Sequence, residues 1–197
     1  AVKDFKKPDR IIIGYKKKEN IKKILNIYKR YKCPLFKMSW SESEISKYYS
    51  NTFFSLLITF ANQFSYICDN LENVNQFNIN KSLLTDRRIL KNNFVPDLKN
   101  YLVPGVGFGG SCFPKDIGGI KNVFLKKKLK TDVFDSILKI NKNSLYHSAK
   151  IIRKNIKPKS TICILGASFK EGTDDTRESR TLGIINELKK NKYKIVI

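Results

Sequence analysis

A glycine-rich segment at residues 105–116 combines the residue types that nucleophilic chemistry requires. Four of the six residues from Gly105 to Gly110 are glycine, which allows positive φ angles and a close approach of the backbone to a ligand. Cys112 follows shortly after, and Pro114 suits the first turn of a helix that would begin here. A thiol at a helix N-terminus feels the positive end of the helix dipole, which stabilises the thiolate form. The segment therefore predicts a nucleophilic cysteine at the start of a helix.

Two charged residues follow this cysteine closely. Lys115 adds a cation near the thiol, and Asp116 lies about one helical turn after Cys112. A carboxylate at that position can orient a water molecule or hold a cation. The simpler alternative is a buried, inert cysteine beside an ordinary glycine loop. That alternative does not account for the thiol, the lysine and the aspartate occurring together.

The elements that must position this segment differ along the chain. Each end predicts a strand, a helix and a second strand, at residues 9–14, 18–32 and 33–38 and then at residues 160–166, 178–191 and 193–197. This order is typical of a doubly wound parallel sheet, and the apolar run before each first turn is typical of a buried strand. Both ends therefore indicate α/β units.

The middle of the chain predicts helices only. Ser41 and Glu44 match a capping box, and apolar residues then recur at helical spacing without glycine or proline, which predicts one long helix over residues 41–71. Its apolar surface is too wide for a single buried face. Lys47 and Asn51 are one turn apart on this helix and share one face of it. Shorter helices are predicted at residues 72–90, 117–129 and 133–156.

Composition argues against several classes of function. The chain has 197 residues, with 39 Lys and Arg against 17 Asp and Glu, and a formal charge of +22. Only seven of the cations are arginine, the residue that contacts base edges most often. The arginine content therefore does not favour a nucleic-acid-binding module, and the net charge is the only feature that supports one. No apolar run reaches the length of a membrane span, and the N-terminus has no apolar signal-peptide core. The sequence predicts a cytoplasmic protein with neither a membrane nor a specific nucleic acid as partner.

The four cysteines are far apart in the sequence. They form no CxxC pair and no cluster with the single histidine, so no metal site is predicted and the thiols are expected to be reduced. Cys112 is expected to be more reactive than Cys33, Cys68 and Cys163. Cys68 and Cys163 lie in apolar helix and strand patterns, and both are expected to be shielded.

Five segments resemble, in the same order, motifs of the nucleotide-sugar dehydrogenases, the UDP-glucose/GDP-mannose dehydrogenase family. PGVGFGGSCFPKD, at residues 104–116, resembles the active-site motif of the members that oxidise UDP-glucose. The other four segments are PDRIIIG, SESEISKYYSN, DRRI and LGASFKEGTDDTRES. The resemblance covers essentially the whole chain.

The resemblance implies an α/β fold with an all-α central domain, in which truncated Rossmann-like units at both ends are joined by the long central helix. Residues 1–38 would end an N-terminal NAD-binding domain, residues 39–157 would form a helical dimerisation domain, and residues 158–197 would begin a UDP-binding domain. The chain is therefore interpreted as the central piece of a longer enzyme that is at least dimeric. The piece alone is expected to be inactive.

The resemblance also implies a reaction, the two-step oxidation of UDP-glucose to UDP-glucuronate with NAD⁺ as the oxidant. Cys112 would carry a thiohemiacetal and then a thioester. Lys47 and Asn51 would stabilise negative charge on the reacting oxygen, and Asp116 would assist the water step. A dehydrogenase of another nucleotide sugar, such as GDP-mannose, and a catalytically inert dimerisation module are the alternatives.

Ligand contacts are implied by the same resemblance. Lys115 and Arg177 would contact NAD, and Arg88, or the adjacent Arg87, would reach the sugar nucleotide. Contacts with the substrate are also implied for Lys47, Asn51, Tyr101, Leu102, Val103, Pro104, Gly105, Phe108, Gly109, Phe169 and Lys170.

Overall fold

The computed structural model of the chain describes residues 2–17, 21–89, 98–169 and 172–197. The chain divides into two units, one within residues 1–50 and the other within residues 51–197. In the described ranges no helix is both long enough and apolar enough to cross a membrane.

The first unit contains a strand, a helix and a parallel strand, as the sequence predicts. After a short helix α1 (Val2–Lys6), the chain forms β1 (Ile11–Tyr15), α2 (Ile21–Tyr28) and β2 (Leu35–Ser39). The two strands are parallel and pair along all five residues of each. The β-branched run of β1 suits a pleated strand, and its central residue Ile13 is buried.

A 29-residue helix, α3 (Trp40–Cys68), follows β2 without a loop. Its capping box is formed by Ser39 and Glu42: the Ser39 amide donates to Glu42 Oε2 at 2.7 Å, and the Glu42 amide donates to Ser39 Oγ at 3.2 Å. These hydrogen bonds, the one from the Ser39 backbone first, lower the pKa of Glu42. The predicted box at Ser41 and Glu44 is therefore wrong by two residues. The S-x-x-E pattern occurs twice here, and the last residue of β2 supplies the cap.

The two sides of α3 differ from the usual arrangement of an amphipathic helix. Its buried residues are mostly small or polar, namely Ser55, Thr59, Ala61, Asn62 and Cys68. Its large apolar residues are exposed and recur every three or four positions, forming what we call the α3 stripe: Ile45, Tyr49, Phe53, Leu56, Phe60, Phe64 and Ile67. The predicted long helix is confirmed. The apolar surface of this helix is wide because the exposed α3 stripe adds to the residues on its buried side.

After α3, the second unit continues with elements that each contact α3 through a hydrogen bond or a ring contact. They are α4 (Gln76–Leu84), a 3₁₀ turn (Lys99–Tyr101), α5 (Phe113–Lys126) and α6 (Asp132–Asn155). Helices α5 and α6 pack through an edge-to-face contact of Phe124 and Phe134, whose ring centroids are 4.8 Å apart. Ile117 and Ile137 are fully buried there. The predicted order of helices is confirmed.

The second unit ends in another strand–helix–strand motif with parallel strands, which consists of β3 (Thr161–Cys163), α7 (Arg180–Lys190) and β4 (Lys194–Val196). Ile162, Ile184 and Leu188 form its buried core. With parallel strand–helix–strand units at both ends and helices between them, the predicted fold class is confirmed. The domain limits after residues 38 and 157 remain a prediction.

One expectation about β3 is wrong. Ile162 is buried, whereas Thr161 and Cys163 alternate onto the opposite face of the strand and are exposed. The apolar run around Cys163 indicates a strand covered on both faces, but in this chain β3 is covered on the Ile162 face only. Cys68, in contrast, is buried as expected.

Candidate active site

Cys112 occupies the N-cap position of α5, and its side chain is exposed. Pro114 lies in the first turn, as its sequence position predicts. The Cys112 carbonyl accepts the Asp116 amide at 2.9 Å, which closes the first turn of the helix. The sulfur lies 3.9 Å from Ser111 Oγ. The first N–H groups of α5 therefore point toward the end of the helix where the thiol lies.

The Asp116 carboxylate is 1% exposed and is held by two side chains. Asn51 Nδ2 donates to Asp116 Oδ2 at 2.6 Å, and the Lys115 ammonium pairs with the other oxygen. The resemblance places Asn51 at a substrate oxygen, but one N–H group of its side chain is already hydrogen-bonded to Asp116. Lys115, which the resemblance places at NAD, is an ion-pair partner of its neighbour, and its side chain is 65% exposed. Asp116 therefore holds both of these side chains.

Lys47 lies one turn before Asn51 on α3. Its side chain is exposed, and it belongs to the unit within residues 1–50. Its predicted role at the substrate oxygen remains a prediction.

The glycine loop, residues 105–112, is held by asparagine side chains of two helices. The Gly105 amide donates to Oδ1 of Asn62 in α3 at 2.7 Å. In α6, Asn141 binds the Phe108 backbone on both sides: its Oδ1 accepts the Phe108 amide at 2.8 Å, and its Nδ2 donates to the Phe108 carbonyl at 3.0 Å. Both asparagines are buried. Side-chain amides therefore satisfy backbone groups that a loop cannot satisfy by itself.

An arginine at the start of α7 binds the same loop. Arg180 Nε donates to the Val106 carbonyl at 3.1 Å, and Arg180 Nη2 donates to the Asn141 carbonyl at 2.5 Å. Burial lowers the pKa of Arg180, and the nearby charge of Glu178 opposes that shift.

Two glycines of the loop are required by its close packing on the connection between β3 and α7. A Cβ at Gly109 would collide with the Glu178 carbonyl oxygen. A Cβ at Gly110, where φ is +76°, would lie 2.6 Å from the ring of Phe169. Only glycine fits both positions without displacing a neighbour.

A cavity of about 400 Å³ lies beside Cys112 in the second unit. Five residues that the sequence analysis assigns to the site line it together: Tyr101, Phe108, Gly109, Cys112 and Phe169. The other lining residues are Val106, Gly107, Phe113, Ser168, Arg180 and Thr181. Residues from the glycine loop and from the connection before α7 thus meet at one thiol.

Of the implied substrate strip at residues 101–105, Tyr101 is among the described residues that line this cavity, and residues 102–105 are not. Tyr101 lines the cavity and stacks on Phe54, with ring centroids 4.4 Å apart. The Leu102 side chain is buried, and its carbonyl accepts Asn80 Nδ2 at 2.7 Å. Val103 and Gly105 are exposed, and Pro104 is half-buried. Phe108 is also buried and packs edge-to-face on Phe113.

Arg88 is not among the residues that line the cavity. It is exposed and folds back on Asp86, to which its Nη2 and Nε donate at 2.7 and 3.0 Å. Hydrogen bonds from Arg88 lower the pKa of Asp86 to about 2. Arg87 is exposed as well, so the choice between the two arginines remains open.

Arg177, an expected NAD contact, is 70% exposed and pairs with Asp175 at 2.6 Å. The hydrogen bonds that Arg177 donates to Asp175, and then the charge of Asp175, raise the pKa of Arg177, and the charge of Cys112 contributes in the same direction. Arg177 therefore lies within electrostatic reach of the thiol. Lys170, an expected substrate contact, lies outside the described residues.

Sequence reasoning missed Asn62, Asn141 and Arg180. A signal existed for Asn141: it follows Ile137 by one turn on the buried face of α6, where an apolar residue is expected. Asn62 has no such signal, because the buried residues of α3 are mostly small or polar. Arg180 has no such signal, since it is one cation among many.

Comparison with known proteins identifies relatives over nearly the whole chain. Residues 41–143 match the UDP-glucose/GDP-mannose dehydrogenase family, central domain, and residues 163–197 match the UDP binding domain of that family. The UDP-glucose 6-dehydrogenase of Rickettsia prowazekii is 34% identical over 199 residues, which cover 95% of this chain and 43% of that protein. The enzyme of the same name from Rickettsia conorii is 34% identical over 193 residues, which cover 95% of this chain and 42% of that protein.

A solved structure matches the fold. The UDP-glucose dehydrogenase of the archaeon Pyrobaculum islandicum superposes with a TM-score of 0.87 at 30% identity, covering 99% of this chain and 44% of that one. The chain therefore spans less than half the length of the relatives it matches.

Proposed function

Because the chain belongs to the UDP-glucose/GDP-mannose dehydrogenase family, we propose that it supplies the catalytic cysteine of an enzyme that oxidises UDP-glucose to UDP-glucuronate. The observation that carries this proposal is the exposed Cys112 at the N-cap of α5, in the wall of a cavity about 400 Å³ in volume. The names of the Rickettsia and Pyrobaculum relatives support UDP-glucose as the substrate.

Cys112 converts two oxidations into one continuous reaction. The first oxidation turns the CH₂OH group into an aldehyde, with loss of a hydride and a proton. The Cys112 sulfur then forms a bond to the aldehyde carbon, and the resulting thiohemiacetal loses a second hydride and a proton to give a thioester. Water cleaves the C–S bond and regenerates the thiol. Covalent capture keeps the intermediate in place between the two hydride transfers.

NAD⁺ supplies the hydride acceptor in both oxidations. The described residues fit a part of such a dinucleotide: Arg177 is mostly exposed and lies near Cys112, and a guanidinium suits a diphosphate. Lys115 is the second candidate for this contact.

The buried Asp116 acts through the side chains that it holds. Its carboxylate fixes the Asn51 amide and the Lys115 ammonium, both of which are donors. In this proposal, Asn51 and Lys47 stabilise the negative oxygen that forms at the substrate. Asp116 assists the water step by keeping the Asn51 amide and the Lys115 ammonium oriented.

The cavity binds the sugar nucleotide in this proposal. Tyr101, Phe108, Gly109 and Phe169 already line it. In the strip from Leu102 to Gly105, the Leu102 carbonyl and the Gly105 amide are already bound to Asn80 and Asn62. The other main-chain groups of the strip contact the nucleotide in this proposal, together with Lys170. Arg88 contributes from the neighbouring subunit, which agrees with its exposed position outside the cavity of its own chain.

The α3 stripe is the surface on which two copies of the protein associate. Its residues include Phe53, Leu56, Phe60 and Phe64, all more than 40% exposed. An exposed apolar row of this length needs cover from another surface. Isologous packing of one α3 against a second α3 would bury both rows at once. A second copy of the same protein is therefore the partner that we propose for this surface.

The test of the function is an assay of the complete protein that contains this chain. With UDP-glucose and NAD⁺, we expect two NADH for each UDP-glucuronate formed, and slower turnover of GDP-mannose and UDP-N-acetylmannosamine. Preference for one of the other two sugars would overturn the substrate assignment. Absence of NADH with all three would favour the inert dimerisation module.

The oligomeric state is tested separately. Sedimentation of the complete protein as a monomer at micromolar concentration would exclude the α3 interface.

A further inference from the structure

Arg180 is a half-buried cation whose hydrogen bonds go to main-chain carbonyls. Its Nε donates to the Val106 carbonyl of the glycine loop, and its Nη2 donates to the Asn141 carbonyl of α6. A buried guanidinium is costly unless its donors are satisfied. A cation kept at such a position by two carbonyls needs a reason beyond surface solubility.

The contacts of Arg180 form a closed ring with those of Asn141. Arg180 binds Val106, Val106 lies two residues before Phe108, and the Phe108 backbone is bound on both sides by the Asn141 side chain. The Asn141 carbonyl then accepts from Arg180. The ring thus ties the loop to α6 and to the first residue of α7.

The loop depends on such side chains because its own backbone is permissive. Glycines at 107, 109 and 110 lie between Val106 and Cys112, and two of them have positive φ angles. A glycine-rich segment loses more conformational freedom on ordering than any other segment. The placement of the Cys112 thiol at the end of the loop therefore depends on the hydrogen bonds at Val106 and Phe108.

We propose that Arg180 is a positioning residue for the reaction at Cys112, acting through the Val106 carbonyl and Asn141. The inference rests on the proposed function for its kinetic part only. The planar guanidinium is essential to the role, because its two donors reach acceptors on two different elements. A lysine ammonium at the same position can replace the charge but not this fork.

Hydrogen exchange in the complete protein tests the physical part of the proposal. In Arg180→Gln we expect the Phe108 amide to exchange about tenfold faster, because the free energy that keeps the loop closed falls by about the net contribution of one hydrogen bond. The Gly105 amide is the internal control, because Asn62 of α3 holds it independently. The matched control variant is Arg153→Gln. Arg153 also joins α6 to α7, through Glu187 at 3.3 Å, and among the described residues it makes no hydrogen bond with the glycine loop. We expect Arg153→Gln to leave the Phe108 amide unchanged.

Steady-state kinetics tests the catalytic part. In Arg180→Lys we expect kcat to fall about tenfold, while KM for the nucleotide sugar stays nearly unchanged. The reason is that a misplaced Cys112 thiol slows the chemical step without weakening substrate binding. Arg153→Lys should change neither constant. A rise in KM at constant kcat would mean that Arg180 binds substrate instead.

Two further outcomes would overturn the proposal. Phe108 exchange that is unaffected in Arg180→Gln would exclude the positioning role. Equal acceleration at Phe108, Gly105 and throughout α6 would reduce Arg180 to a general stabilising residue. If the unsubstituted protein lacks dehydrogenase activity, the proposed function fails, whereas the exchange result still decides the role of Arg180 in the loop.

Discussion

Cys112 and Cys163 are both exposed, but they lie in very different surroundings. Cys112 caps a 14-residue helix, lines a cavity and lies within electrostatic reach of Arg177. Cys163 ends a three-residue strand, on the face opposite to the buried Ile162. The difference shows that exposure alone does not make a cysteine a candidate nucleophile. What distinguishes Cys112 is a backbone loop held in place by side chains and a position at the N-terminus of a helix.

The two regions also differ in how their backbone is fixed. The β3 backbone is fixed by its ladder with β4, which any sequence of strand formers can supply. The backbone before Cys112 is fixed by the side chains of Asn62, Asn141 and Arg180. Such a loop is specified residue by residue, which is the condition under which a reacting group can be placed accurately.

The largest expected effect is the loss of product in Cys112→Ser. A serine hydroxyl is hardly ionised at neutral pH, so covalent capture of the aldehyde fails while UDP-glucose still binds. We expect UDP-glucuronate formation by the complete protein to fall by at least about a thousandfold, as for removal of other nucleophiles.

Cys163→Ser is the matched control, because it makes the same change at the other exposed thiol. Its rate of UDP-glucuronate formation should remain within about twofold, as expected for a surface substitution. Comparable losses in the two variants would break the comparison. Robust product formation by Cys112→Ser would exclude the thioester route.

A second prediction tests whether Lys47 takes part in the reaction at Cys112. Lys47→Ala should lower kcat by about a hundredfold, and raise KM much less, if the ammonium stabilises the oxyanion. The control is Lys142→Ala, which removes an exposed lysine of α6. Unchanged kcat in Lys47→Ala would remove Lys47 from the proposed site.

Much of the fold could be predicted from the sequence, because the patterns are local. Apolar runs predict β1 and β3, and helical spacing predicts α3 and α6. The errors arose where one pattern fits two registers or two environments. The S-x-x-E motif occurs at Ser39 and again at Ser41, and only the end of β2 decides between them. The strand pattern at Cys163 indicates burial without saying which faces are covered.

The site could be predicted in part for the same reason. The thiol, Pro114 and the glycines are adjacent in sequence, so their joint position at the start of α5 is local information. The link between Asn51 and Asp116 joins residues 65 positions apart, and only the packing of α3 on α5 creates it. Asn141 and Arg180 reach the loop from α6 and α7. Such long-range hydrogen bonds leave no local pattern.

The third prediction compares the two thiols directly. Limited alkylation of the folded, complete protein with iodoacetamide at neutral pH should modify Cys112 about tenfold faster than Cys163, since the thiolate is the nucleophile and a helix N-terminus favours it. Buried Cys68 should be modified last. Peptide mapping by mass spectrometry gives the three rates in one sample. Equal rates at Cys112 and Cys163 would show that the surroundings of the sulfur do not matter.

The smallest expected effect concerns Arg177, whose charge reaches Cys112 through solvent. Its partner Asp175 has a pKa lowered to about 2 by hydrogen bonds from Arg177, below the usual value of about 4. The ion pair is therefore fully formed above about pH 4, and it is lost only as the pH falls through 2. Between pH 6 and 8 the titration of Asp175 should add no inflection to the alkylation rate of Cys112.

Removing either member of this pair should change that rate in opposite directions. In Arg177→Ala the alkylation of Cys112 should slow by about threefold, because an exposed charge contributes little more than this through solvent. In Asp175→Asn it should increase slightly, because Arg177 then loses its competing anion. Cys163 is the control in each sample, and its rate should stay constant. High salt should reduce the effect of Arg177→Ala by screening. A slower rate in both variants would instead indicate that the pair supports the loop mechanically and that its charge is irrelevant to the sulfur.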